Sequence, residues 1–282
     1  MNSEESYNYL SQKYGTHLDW FQAGGGNISV KDDNILYIKE SGTYVCDGKY
    51  VKCDLSKLLD ELDNDDEEFS NFIISSNQKI PSIEVWFHAF TKKYTLHCHP
   101  TELYDLLFSN EAIEKINDLN INNFLIIPYE KPGKELAQYM YNKYCANINN
   151  YDIIFLLNHG VIITADTLEE LDNIINNVLK PNKDIFEIQK TITNKLIWQS
   201  KYYLNPNTIK NYTPDIILYL DPKNLFIYNK NLYIITDTKK QYNDIEEMIA
   251  MYLSIQPSED KLVIEDINSI IHWDREKLRK NI

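Results

Sequence analysis

Three histidines carry the most distinctive chemistry in this chain of 282 residues. His97 and His99 stand two residues apart in the apolar run Tyr94-Thr95-Leu96-His97-Cys98-His99, which Pro100 ends. On a strand that spacing projects both imidazoles from one face, where they can share a metal ion. A strand pair alone leaves the coordination sphere open. His159 begins the break Asn158-His159-Gly160 after another apolar run, 153–157. Three neutral imidazoles with a fourth position left open make a catalytic site for zinc or another divalent metal. The His-x-His pair by itself is weak evidence, because paired surface or core histidines have the same spacing.

Glu84, in Pro81-Ser82-Ile83-Glu84, is the carboxylate that could work beside such a site. It has two readings: a first-turn glutamate favoured by the helix dipole, or a general acid/base next to the metal. The segment Gly24-Gly25-Gly26-Asn27-Ile28-Ser29 offers unobstructed backbone N–H groups, an amide and a hydroxyl. Such a loop can wrap a phosphate, and it can also be a bare turn. Ser41-Gly42 adds a second hydroxyl and amide of the same kind. Neither a GxGxxG fingerprint nor the lysine of a Walker loop is present, so a nucleotide is not implied. Few basic residues stand near the glycine loop.

These residues need elements to hold them. The spacing of Tyr7, Leu10 and Tyr14 predicts a helix over 4–17. Strands follow at 28–30 and 35–38 around the turn 32–34, then a helix from Ser82 to Tyr94 and the histidine strand 94–99. Helix 101–109, strand 123–128 and helix 133–147, begun at Pro132-Gly133, come next. Strand 153–157 is nearly all apolar and reads as central in its sheet. Strand 161–164, helix 167–180 and a helix continuing to about Tyr203 complete the main body. After Asn205-Pro206-Asn207 the pattern gives strands 215–220, 224–228 and 231–236, a helix near 243–255, strand 261–265 and a terminal helix. The predicted architecture is an α/β/α catalytic domain over 1–204 with a small C-terminal α/β appendage over 205–282.

Composition narrows the partners. A formal net charge of −14 argues against nonspecific binding to nucleic acid or an anionic membrane. The acidic run 60–68 lacks the glycine and spacing of a calcium loop and reads as a solvated loop. Cysteines 46, 53, 98 and 145 form no CxxC and read as reduced thiols. The polar start MNSEESYNYL is unlike a signal peptide, and no apolar run approaches the about 18 residues of a membrane span. A cytoplasmic location is the default expectation.

Taken in order, Gly26-Asn27-Ile28-Ser29, Ser41-Gly42, Pro81-Ser82-Ile83-Glu84, His97-Cys98-His99-Pro100, Pro132-Gly133 and Asn158-His159-Gly160-Val161 resemble the class II aldolase/adducin family. Thr213-Pro214-Asp215 and Trp273-Asp274-Arg275-Glu276 with Arg279 look like the aldolase half of bifunctional rhamnulose-phosphate aldolase/dehydrogenase proteins, without a dehydrogenase half. The resemblance implies a mixed β-sheet flanked by helices and zinc on His97, His99 and His159. It implies an anion site formed by Gly26, Asn27, Ser29, Ser41, Gly42 and Ser82, and a small sugar or sugar-phosphate substrate. A homo-oligomer, tetrameric in many members, is also implied. The reaction would be cleavage or formation of the C3–C4 bond of a ketose-1-phosphate through a zinc-stabilised enediolate, with Glu84 moving the proton and a tyrosine serving as second acid. Ile83 departs from the pattern, standing where the family usually has a hydroxyl. Epimerases of the family typically have Asp in place of Glu84, dehydratases keep Glu and the three histidines, and adducin-like binding modules lose the metal ligands.

Overall fold

Period-two alternation builds the centre of the molecule. In the computed structural model, which describes residues 1–17, 19–64, 68–74, 79–179, 197–199, 225–228, 231–236 and 239–254, seven strands share one sheet. They are β1 (Asn27–Asp32), β2 (Ile35–Lys39), β3 (Tyr50–Asp54), β4 (Tyr94–Cys98), β5 (Phe124–Ile127), β6 (Ile153–Leu156) and β7 (Gly160–Ala165). Their order is β3-β2-β1-β4-β7-β6-β5. The pairing is antiparallel throughout except for parallel β5 and β6, so the sheet is mixed.

Alternation sends Ile28, Val30, Leu96, Cys98, Val161 and Ile163 to one face and Leu36, Ile38, Ile154, Leu156 and Ile162 to the other. The first face is covered by α1 (Ser3–Tyr14), α4 (Tyr104–Leu107), α5 (Ala112–Asn117) and α7 (Leu168–Val178). The second is covered by α2 (Leu55–Asp60), α3 (Val85–His88) and α6 (Lys134–Tyr144). Each fully buried large apolar side chain contributes about 1.5–3 kcal/mol of transfer free energy. Leu96, at 0% exposure in the middle strand, is therefore a position where truncation to alanine costs about 2–5 kcal/mol. Helix α1 starts on a capping box in which the Asn2 side chain accepts from the Glu5 N–H and Glu5 answers on the Asn2 N–H, and its Tyr7, Leu10 and Tyr14 face the core as their spacing predicts.

Several elements differ from the sequence reading. The helix expected over 82–94 is only four residues long, Val85–His88. Val85, Trp86 and Phe87 are weak helix formers, and the Lys93 carbonyl already accepts from the Lys31 N–H of β1, so the chain must straighten before β4. The strand at 153–156 is interior but second from the edge; the middle place belongs to β4. Strand β3 and helices α2 and α5 had no counterpart in the sequence reading. Residues Ile197–Gln199, read as helix, form strand β8, which pairs with β10 (Asn231–Ile235), itself paired with β9 (Leu225–Tyr228). Helix α8 (Lys239–Ser254) follows. The expected strands 215–220 and 261–265, the terminal helix, Thr213-Pro214-Asp215 and Trp273-Asp274-Arg275-Glu276 lie outside the described residues. Among the described residues no helix is long and apolar enough to cross a membrane.

Candidate metal centre and anion cleft

The pleat of β4 sends Leu96 and Cys98 to the α1 side, leaving His97 to the side covered by α3. Register places Asn27 of β1 directly opposite His97 on one flank and Ile162 of β7 on the other. His99 follows just past the strand end, its N–H bonded to the Trp20 carbonyl. His159 sits in the tight connection between β6 and β7, where Leu156 pairs with Gly160. Gly160 is required there by space: an added Cβ would meet the Cys98 carbonyl oxygen at 2.5 Å and the His99 ring at 2.7 Å. That close approach brings the three rings together, with centroids 4.9, 4.9 and 5.1 Å apart.

One ring nitrogen from each of His97, His99 and His159 falls within 4.8 Å of the others, and all three residues are buried. The donor set fits a divalent ion. Bonds of about 2.0–2.1 Å in a tetrahedron separate neighbouring nitrogens by about 3.3 Å; the Nε2 atoms of His97 and His99 are 3.0 Å apart. His97 Nδ1–H donates to the Val161 carbonyl at 3.1 Å, which fixes the tautomer and leaves the Nε2 lone pair facing the centre. His159 Nδ1 is buried and has no hydrogen-bond partner, and burial pushes its ring down to about 4 against the pull of Glu84. A ligand imidazole must be neutral, so that shift favours metal binding.

The sequence reading put Glu84 in the first turn of its helix, but α3 begins at Val85, so Glu84 is the residue that flanks it, and its side chain is not spent on capping the helix. The structure turns it inward: Oε2 lies 3.3 Å from His97 Nε2 and Oε1 lies 3.2 Å from His159 Nε2. Burial alone would raise the carboxyl, but the imidazoles of His97 and His159 beside it outweigh that and hold the group well below the usual carboxylate range. Glu84 is thus ionised at neutral pH, 5% exposed, with Oε1 free of any aligned donor.

Next to this centre opens a small cleft lined by Gly24, Gly26, Asn27, Lys39, Ser41, Gly42, Ser82, Ile83 and Glu84. Five of the six residues read from the sequence as anion-binding come together here: Gly26, Asn27, Ser41, Gly42 and Ser82. Gly26 has φ +64°, and a Cβ on it would meet the Phe21 ring at 2.6 Å and the His97 carbonyl at 2.7 Å. The sixth, Ser29, is fully buried behind the lining, its hydroxyl directed at His88 Nδ1 at 2.7 Å.

Two residues with evident parts in this geometry escaped the sequence reading. Lys39 closes β2 with its ammonium inside the cleft wall, 2% exposed, donating to the carbonyls of Gly24 at 3.2 Å and Thr43 at 2.7 Å. It brings a basic side chain to the glycine loop, and its one signal in the sequence is its place two residues before Ser41-Gly42. His88 is fully buried one helical turn after Glu84, and that four-residue spacing could have flagged it. The Asn27 amide donates to Glu84 Oε2 at 2.8 Å and Ser82 Oγ at 3.1 Å, so its carbonyl oxygen must accept. The donor is His88 Nε2–H at 2.5 Å, which leaves Nδ1 to accept from Ser29. Burial holds His88 neutral, in keeping with that tautomer.

The chain matches the Class II Aldolase and Adducin N-terminal domain over residues 9–175. It belongs to the class II aldolase and adducin family. An uncharacterized oxidoreductase, YuxG, of Bacillus subtilis (strain 168) is 25% identical over 181 residues, covering 57% of this chain. The chain spans only 26% of that relative's length. Among solved structures, the N-terminal class II aldolase domain of a conserved protein from Thermoplasma acidophilum is 23% identical with a TM-score of 0.48, over 62% of this chain and 90% of that one. YgbL of Klebsiella pneumoniae, described as a putative aldolase/epimerase/decarboxylase, is 19% identical with a TM-score of 0.46, over 63% and 87%. The l-fuculose-1-phosphate aldolase of Thermus thermophilus is 14% identical with a TM-score of 0.38, over 62% and 88%.

Proposed function

We propose that this protein is a metal-dependent lyase of the aldolase type, making or breaking the C3–C4 bond of a ketose-1-phosphate or a similar sugar. The observation that carries the reading is the continuity of the two halves of the site: Asn27 bonds Glu84 at the histidine centre and Ser82 in the cleft. His97, His99 and His159 would hold the ion, with zinc as the first candidate for a three-imidazole set. Bound there, it supplies Lewis acidity to a substrate carbonyl and its neighbouring oxygen.

The remaining work falls to this chain's own groups. Lys39, with Ser41, Gly42, Ser82 and Asn27, would hold the anionic end of the substrate and orient the carbon chain toward Glu84. Glu84 is ionised and has an oxygen without an aligned donor, which suits a base that takes and returns the proton at the carbon where the bond is made. The His88–Asn27 bond holds the amide that orients Glu84, so the carboxylate is pre-set. Among the described residues no tyrosine lines the cleft, so the second acid for the aldehyde oxygen comes from outside that lining. The same reading gives a homo-oligomer in the cytoplasm, where the four free cysteines would stay reduced.

A retro-aldol screen of ketose phosphates, detecting dihydroxyacetone phosphate, tests the reaction. Release of that triose from one sugar, lost on chelation and restored by metal, supports it. A dehydrated sugar or a changed hydroxyl configuration without triose would reassign the same centre to a dehydratase or an epimerase.

A further inference from the structure

Helix α8 lies outside residues 9–175, the span of the family match, yet it reaches the loops that wall the cleft. Its apolar side, including Ile245, Met248 and Ile249, joins the core on the α1 side of the sheet together with Trp20, Phe21 and Ala23. Three carboxylates on α8 are also buried: Asp244 at 3%, Glu246 at 1% and Glu247 at 3% exposure. Glu247 Oε2 accepts from the Ala23 N–H at 2.8 Å. Asp244 Oδ1 accepts from the Tyr44 hydroxyl at 2.6 Å. Ala23 directly precedes the glycine loop and Tyr44 follows Ser41-Gly42, so each cleft wall is tied to the helix, and Lys240 of α8 also lies over the Tyr44 ring at 5.9 Å from its centroid. Lys39 ties the walls to each other through the carbonyls of Gly24 and Thr43.

We propose that α8 is a clamp on the anion cleft, with Glu247 and Asp244 as positioning residues that set the spacing of its two walls. The physical case is strongest at Ala23. Its φ of +50° lies in the left-handed region, which a residue with a Cβ occupies only where its surroundings enforce it. A buried carboxylate accepting the Ala23 N–H is such an enforcement, because losing the acceptor strands that donor away from water. The bond fixes where Gly24 and Gly26 present their backbone to a ligand. Glu247 and Asp244 are absent from the cleft lining, so they act through the loops and not by touching substrate. The cleft's role as an anion site is taken from the proposed function; the clamp itself is not.

Amide hydrogen exchange on the full-length protein tests the clamp without any ligand. In Glu247→Ala, peptides covering 20–26 should exchange at least about tenfold faster than in the parent, whereas Glu247→Gln, which keeps an oxygen acceptor, should stay close to it. Tyr44→Phe should do the same for peptides covering 40–45, and it decides the matter if Glu247→Ala does not fold. Unchanged exchange of these loops in folded Glu247→Ala or Tyr44→Phe overturns the proposal. Calorimetric titration with inorganic phosphate adds the functional consequence: Glu247→Ala should bind about tenfold more weakly, Glu247→Gln within about twofold, with zinc content the same in all three. If the parent protein binds no phosphate while its loops still respond in exchange, the anion reading falls and the clamp stands.

Discussion

The histidine centre and the anion cleft share Asn27 and Glu84 but are built by different physics. The centre hangs on strand register: β1, β4 and β7 are paired along their lengths, and the pleat fixes where His97 and Asn27 point. Its remaining freedom is removed by space, as the missing Cβ of Gly160 shows. The cleft is walled by loops, and its shape depends on side chains distant in sequence: Lys39 across two loops, Glu247 and Asp244 from α8. Geometry of the first kind resists single substitutions outside the ligands and Gly160. Geometry of the second kind should loosen by degrees.

The sharpest break in that contrast is at the ligands. His97→Ala and His159→Ala should each remove stoichiometric metal and with it all activity, read by elemental analysis of the purified proteins. Stoichiometric zinc surviving both substitutions would end the assignment. Next in size is Glu84→Gln, which keeps shape and leaves the three imidazoles in place. It should retain the metal and slow proton exchange on dihydroxyacetone phosphate by about 10²–10⁴-fold, the usual yield of a positioned base. Exchange at the parent rate would remove Glu84 from its role.

The pH dependence of stability separates the regions by their titratable groups. In the folded, metal-free protein His159 titrates at about 4 and His88 well below its ordinary value, both through burial first. In the unfolded chain both return to about 6.5. Below about 6.5 the unfolded state therefore binds more protons, so stability is complete above that pH and declines as pH falls. The His159 share is on the order of 3 kcal/mol by pH about 4, at 1.36 kcal/mol per unit. Glu84, depressed in the fold, adds a loss of the same sign below about 4.3. Urea unfolding of metal-free protein at about pH 7 and about pH 5 reads the effect; equal stabilities would contradict the buried, neutral histidines.

This contrast also marks what the sequence could reveal. The strand bearing His97, the strand that leads to His159, the break at Gly160 and the face of α1 follow from periodicity and end signals, which are local. So does the gathering of Gly26, Asn27, Ser41, Gly42 and Ser82, once their order is matched to a family. Lys39 was illegible because nothing local says that a strand-ending lysine turns inward; its partners Gly24 and Thr43 come from different turns. The short α3 was illegible for a similar reason: the demand that Lys93 pair with β1 is a tertiary one, and it overrides the helical spacing of 83–90. Strand β3 carries a clean alternation of buried Val51 and Cys53 with half-exposed neighbours, a signal that was present and unread.

The smallest effects sharpen the cleft itself, by setting a residue in its lining against one just behind it. Lys39→Met keeps the aliphatic length but removes the charge and the donors to both walls, so phosphate affinity should fall about tenfold with metal content unchanged. Ser29→Ala removes a hydroxyl that the family pattern assigns to the anion but that here is directed at His88. Phosphate affinity should then change by less than about twofold, while stability falls by about 1 kcal/mol from the lost buried hydrogen bond. Parallel titrations of the two variants distinguish the alternatives. If Ser29→Ala weakens phosphate as strongly as Lys39→Met, the hydroxyl reaches the ligand when the cleft is filled, and the His88 bond belongs only to the empty cleft. If it does not, Ser29 acts by holding His88, His88 by holding Asn27, and the anion site is narrower than the motif that announced it.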